Sequence, residues 1–240
     1  MADTLYLSLW YPNLRLAALG DKLALVLGQF AAHGGEARVY AATTWPIHWN
    51  ESPVFQRIYG HGEHGAEPRQ AVADALELLH DDYAYEFQIE WTLWEMETGQ
   101  ESAEASTGSS RPLQLARNNN VNPGPSSPAA TESPFQGENA ARWVRQPRPV
   151  RVTGFGPLFD EAAYEQDGHI RVDFGSDGAF LQEGAELSPD AARHVEENVR
   201  LLVSLAGAIE KNSGATARLL WSELGESLAQ RLAARLGAAN

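Results

Sequence analysis

Cysteine is absent from the 240 residues. That removes disulfides, thiolate nucleophiles, sulfur-ligated zinc and iron–sulfur clusters in one step. It also fits a cytoplasmic setting, which is the expected location. Positive charge is scarce: 18 Lys and Arg stand against 32 Asp and Glu, a formal net charge of −14. Such a surface repels phosphate backbones and anionic lipid, so neither nucleic acid nor membrane is an expected partner, and a basic protein is favoured. Acidity by itself is equally a solubility device. Long apolar runs are missing too. The nearest candidate, residues 14–32, is interrupted by Arg15, Asp21, Lys22 and Gln29. Nothing reaches the roughly 18–20 residues that span a bilayer. The opening MADTLYLSLWYPNLR has no positive stretch ahead of its apolar residues and makes a poor secretory signal.

What is present is an ordinary globular composition, 43% hydrophobic and 21% charged, in a chain long enough for a sizeable core. Charge is distributed unevenly. Residues 1–110 carry 16 acids against 5 bases, and residues 111–240 carry 16 against 13. Six arginines fall between Arg111 and Arg151 with only Glu132 and Glu138 among them.

The strongest local pattern is residues 83–94, YAYEFQIEWTLW. Tyr83, Tyr85, Phe87, Ile89, Trp91 and Leu93 alternate with Ala84, Glu86, Gln88, Glu90, Thr92 and Trp94. A period of two is that of a half-buried strand, with one face for a core and one carboxylate-bearing face for water or a partner. Residues 4–11 read as a first strand, Leu5, Leu7 and Leu9 against Tyr6, Ser8 and Trp10. Asn13 is positioned as the cap of a helix that ends before Gly34-Gly35, with Leu16, Leu19, Leu23, Val26, Leu27 and Phe30 as its stripe. Strands follow at 37–45 and 54–59. Glu67-Pro68 opens a second helix lined by Val72, Leu76 and Leu79.

The order βαββαβ within residues 1–97 predicts an α+β, ferredoxin-like module: one antiparallel sheet with two helices on one face. Residues 98–147 are rich in Ser, Asn, Gly and Pro and read as a linker or long loop. Residues 148–240 form a second α+β part. It starts as a β-meander over 150–181, with a strand near Tyr164, a hairpin turn at Asp167-Gly168 and a last strand at 179–181. Ser188-Pro189 then caps a long helix that stops at Gly214. A strand at 216–221 and a closing helix carrying Leu224, Leu228, Leu232 and Leu236 complete it.

Motifs that bear chemistry are sparse. Residues 60–65, GHGEHG, match a dinucleotide fingerprint by letter, but Glu63 occupies the phosphate cradle and the helix begins too late. No cofactor is expected. His61 and His64, with Glu63, His48 and Glu51 nearby, are proper ligand types for a divalent ion, but a glycine-rich loop holds ligands poorly, and no metal is assigned. Glu86 and Glu90 lie roughly 13 Å apart along one strand, too far for a paired-carboxylate mechanism. Asp173-Phe174-Gly175 lacks the companions of a kinase magnesium motif, and no GxSxG is present. Arg142, Arg145, Arg148 and Arg151 could clamp an anion; neutralising the acidic first half is the favoured role.

The expected function is therefore a non-catalytic, inhibitor- or immunity-like binding protein. Its surface would be an acidic, aromatic sheet face formed by Tyr6, Trp10, Glu86, Gln88, Glu90 and Trp94, suited to arginine or lysine on a basic partner. The alternative is a metal-dependent enzyme with its site near the His61/His64 loop or in the cleft between the halves. A third arrangement has residues 142–181 covering the acidic face. A homodimer through the uncovered face or an edge is compatible with the layout.

Overall fold

Leu5, Leu7 and Leu9 are fully buried and Tyr6 and Trp10 only partly, so β1 (Thr4–Trp10) forms with the expected polarity. The computed structural model describes residues 3–97, 142–182, 186–223 and 228–236. In chain order β1 is followed by α1 (Leu19–Ala32), β2 (Gly35–Pro46), β3 (Phe55–Ile58), α2 (Pro68–Ala75) and β4 (Tyr83–Met96). After residues 98–141 come β5 (Trp143–Phe155), α3 (Ala163–Gln166), β6 (Ile170–Ser176), α4 (Gly178–Leu181), α5 (Pro189–Ser213), β7 (Ala217–Ser222) and α6 (Leu228–Leu236). Most of the expected linker, and Leu224 of the closing helix, lie outside the described residues. At the borders of residues 98–141 the Glu97 N–H donates to the Arg142 carbonyl at 2.8 Å.

The protein is α+β with a seven-stranded, open, antiparallel sheet in the order β3-β2-β4-β5-β6-β1-β7. This corrects the ferredoxin-like expectation. β1 is beside neither β3 nor β4; it pairs with β6 and β7, placing Leu7 opposite Val172 and Leu220. The reason is face matching. β3 has four residues, three of them exposed, and offers little apolar surface to leucines at alternate positions. β6 presents Ile170, Val172 and Phe174, all buried on the same side as the β1 leucines. Strands of both halves thus share one sheet. From β1 to β2 the chain crosses four inter-strand steps, about 19 Å, and α1 at 14 residues is about 21 Å long.

α1, α2, α4, α5 and α6 pack on the face that carries the alternate apolar residues. α1 contacts α2, α5, β2 and β5, and α5 contacts α4, α6 and β7. On β4, Tyr85, Phe87, Ile89, Trp91 and Leu93 are all buried on this side. The Trp91 ring meets Phe30 edge-on at 5.9 Å and tilts against Phe174 and Phe180, while its Nε1 donates to the His33 carbonyl at 2.8 Å. Burying a side chain of this size stabilises the fold by about 2–3 kcal/mol.

Local signals at helix ends divide. Ser188 Oγ accepts from the Ala191 N–H at 3.3 Å, and Gly214 ends α5 at φ 75° with its N–H on Glu210. Both were legible. Asn13 is not a cap: it turns the chain at φ 49°, and α1 begins after a single 3-10 turn with Ala18 at its N-cap. The two short strands expected near Tyr164 and at 179–181 are helical turns instead. Ala179, Phe180 and Leu181 are all buried, and a helical turn can bury three consecutive side chains where a strand buries alternate ones. β5 starts earlier than expected and contains Pro147 and Pro149. Both precede the stretch, Arg151 to Gly154, that pairs with β6, so the missing N–H groups cost no hydrogen bonds to that strand.

Candidate functional site

On the face opposite the helices, cross-strand register places polar side chains from distant parts of the chain in rows. Tyr6 on β1 is opposite Asp173 on β6, and Asp173 is opposite Arg151 on β5. Ser8 is opposite Arg171, and Arg171 opposite Thr153. Thr43 on β2 is opposite Glu86 on β4. One end of this face is closed by a small aromatic cluster: Ala84, Phe155 and Phe159 are fully buried, with Trp45, Trp49 and Tyr164 packed on them. Trp49 meets Phe159 edge-on at 5.0 Å and Trp45 at 5.9 Å.

The loop that brings Trp49 back over the sheet is bolted at its base. Ile47 donates to the Asp82 carbonyl at 2.7 Å and accepts from the Asp160 N–H at 2.8 Å. Ile47 and Asp160 both have positive φ, 59° and 47°. A β-branched residue there is strained by about 1–3 kcal/mol and persists only where its surroundings fix it. Gly156 makes the neighbouring close approach: a Cβ there would stand 2.4 Å from the Asp81 carbonyl oxygen.

Between this cluster and the strands lies a cleft of about 270 Å³. Tyr6, Trp45, Trp49 and Glu86 from the first half line it, with Arg151, Thr153, Arg171 and Asp173 from the second. Its cations are spoken for. Arg151 is ion-paired with Asp173, and Arg171 is ion-paired with Asp167. The Arg171 guanidinium also lies 5.4 Å from the Tyr6 ring centre and 5.3 Å from that of Phe155. Burial alone would pull the Arg151 guanidinium down, but Asp173 and then Glu86 outweigh it, and its pKa is raised.

Glu86 differs. It is 9% exposed, it accepts a hydrogen bond from Gln88 Nε2 at 3.0 Å, and among the described residues no cation lies within ion-pair distance of it. A carboxylate withdrawn this far from water is normally paired with a cation or held by several donors. Its field reaches Tyr40, whose pKa is raised first by burial, then by Glu90 and Glu86.

The six residues expected at the surface do not all meet. Tyr6 and Glu86 share the cleft, and Gln88 leans on Glu86. Tyr6 also stacks on Trp221 at 4.6 Å and donates to Glu223 at 3.0 Å. Glu90 accepts from His61 Nδ1 at 2.7 Å, and that imidazole stacks on Tyr40. Trp10 donates to the Glu165 carbonyl at 3.0 Å. Trp94 turns to α5, its ring 4.0 Å from His194 and its Nε1 on Glu197 at 2.9 Å. Among the described residues His61 and His64 are not gathered with a third ligand, and the group with metal-ligand spacing is His80, Asp81 and Asp82.

The arginine run is mixed in its partners. Arg142 and Arg148 pair with Glu97 and Glu95, acids of the first half. Arg145 and Arg151 pair with Glu197 and Asp173, acids of the second. β5 lies beside β4 in the sheet and β6 beyond it, so among the described residues the arrangement in which residues 142–181 cover the acidic face holds only at the aromatic end.

Residues that sequence reasoning did not assign to the site are Trp45, Trp49, Thr153, Arg171 and Asp173. The alternation of Arg151 and Thr153 with Val150 and Val152, and of Arg171 and Asp173 with Ile170 and Val172, is a signal for polar side chains on an uncovered face. No local signal marks the tryptophans. Compared with protein-family models, curated proteins and solved structures, the chain matches none.

Proposed function

We propose that the protein acts by binding rather than by catalysis, and that the uncovered sheet face receives a basic protein partner at the cleft. The observation that carries this reading is Glu86, a buried carboxylate with no ion-paired cation among the described residues, on the wall of a cleft that it shares with Trp45, Trp49, Tyr6 and two arginines paired elsewhere. A partner's cation would supply the missing counter-charge, and indole and phenol faces attract cations independently. The net charge of −14 speeds the approach of a basic molecule. An inhibitor- or immunity-type role, blocking a basic target, is the finer form of the proposal and follows from charge and size.

Fluorescence anisotropy with labelled peptides of equal length, basic, acidic or neutral, tests it. Basic peptides are expected to bind at low salt and to weaken as salt rises. The double change Glu86→Lys with Glu90→Lys should abolish that binding while the circular dichroism spectrum is kept. Equal binding of acidic peptides, or an unchanged isotherm in the double variant, sinks the reading.

A metal-dependent reaction is the second reading, favoured by one feature: the cleft takes four lining residues from each half of the chain. Metal analysis of untagged protein separates the two. Stoichiometric zinc or manganese lost on Glu86→Gln supports the enzyme.

A further inference from the structure

The cleft already contains one solved instance of its own recognition problem. Arg171 is held by a carboxylate, Asp167, and by two aromatic rings, Tyr6 and Phe155, and its side chain is only 21% exposed. Glu86 with Trp45 and Trp49 presents the same chemistry, a carboxylate beside aromatic surface, with no arginine of this chain against it among the described residues. Two acids and two arginines line the cleft; Arg151 is paired with Asp173, and Arg171 with Asp167 outside the lining, so Glu86 is the lining acid with no ion pair among the described residues.

We propose that the Glu86 end of the cleft takes an arginine side chain of the basic partner, paired with the carboxylate and laid against the indole rings of Trp45 and Trp49. This rests on the binding reading above and narrows it from basic groups in general to guanidinium. Two features select guanidinium over ammonium. The carboxylate is 9% exposed, so its guest must shed water, and guanidinium is the more weakly hydrated cation. Three of the eight lining residues, Tyr6, Trp45 and Trp49, are aromatic, and on such rings a planar guanidinium stacks where a tetrahedral ammonium makes a point contact. Arg151 is the internal rival: it lines the same cleft, its side chain is 54% exposed although paired with Asp173, and it already feels Glu86.

The test is an NMR titration of the full chain, following the indole N–H resonances of Trp45 and Trp49, with three probes: capped Gly-Gly-Arg-Gly-Gly and its lysine and citrulline counterparts. The arginine probe is expected to shift both resonances saturably, the lysine probe to bind about tenfold more weakly or worse, and the uncharged citrulline probe not at all. Glu86→Gln, which keeps the shape and the Gln88 hydrogen bond, should weaken the arginine probe about tenfold or more. Arg151→Gln should strengthen it by removing the rival, and both variants should keep the dispersed spectrum of the folded protein. Equal affinity for the lysine probe overturns the inference and leaves the binding reading standing. No saturable shift with the arginine probe overturns it too, as does an arginine isotherm unchanged in Glu86→Gln. Inorganic phosphate shifting the same resonances in an Arg151-dependent way overturns it by making the cleft an anion site. Failure of every basic peptide in the anisotropy experiment removes the binding reading beneath it.

Discussion

His169 and Glu86 show two ways in which this sheet holds an ionisable side chain. Glu86 is left with a neutral amide as donor and a cleft beside it. His169 is locked: its Nδ1 accepts from the Tyr11 N–H at 3.0 Å, and its ring stacks on Tyr164 at 4.1 Å and faces Tyr11 at 6.2 Å. That geometry needs the neutral imidazole, and burial lowers the His169 pKa from its usual 6.5. Below 6.5 the unfolded chain then binds a proton that the folded chain refuses, so stability rises with pH in that window. The His169 contribution is complete above 6.5 and is lost as pH falls through the lowered folded value. Urea unfolding at neutral and at mildly acidic pH should show a smaller acid loss in His169→Gln, which keeps an acceptor but does not titrate. An identical loss in the two proteins would remove His169 from the account. At this scale Tyr6, Glu86 and Gln88 were readable, because alternation on a strand reports which way each side chain points. Trp94 was misplaced by the same rule. Near the end of β4 its ring follows α5 rather than the row containing Glu86.

Among the elements, α5 shows how a helix fixes a strand end that alternation cannot. Asn198 is fully buried. Its Oδ1 accepts from the Trp94 N–H at 3.0 Å, and its Nδ2 donates to the carbonyls of Trp94 at 2.8 Å and Ala179 at 2.9 Å. One side chain thus ties α5, β4 and α4 together. Asn198→Ala would leave three backbone groups without their partner, and the expected cost is about 2–4 kcal/mol. Chemical denaturation would measure it; a loss below about 1 kcal/mol would mean that water replaces the amide there. The long amphipathic stripes of α1 and α5 and the caps of α5 were legible because a period near 3.6 and a Ser-Pro start are local properties. The turns at 163–166 and 178–181 were not, since each is too short to carry a period and is shaped by what packs on it.

For the whole molecule, the placement of β1 is decisive. It comes first in the chain yet is hydrogen-bonded on both sides by strands that come last, β6 and β7. Neither half then has a complete sheet of its own. If a specific protease site is inserted within 98–141 and cleaved, the two pieces should co-elute on native gel filtration and part only in denaturant. Elution as two folded species would contradict the shared sheet. No helix among the described residues is long and apolar enough to cross a membrane, in keeping with the interrupted apolar runs. The sequence by itself determined what is local: the α+β class, most of the strands and the long helices, and which side of β1 and β4 is apolar. Only the tertiary structure decided which strands are neighbours. With that came the arginines set beside the acids of the sheet face, and the cleft where Glu86 meets Trp45, Trp49 and Tyr6. Alternation and periodicity are written within a few residues, whereas strand order is settled by the packing of whole faces against one another, a property that no short stretch of chain contains.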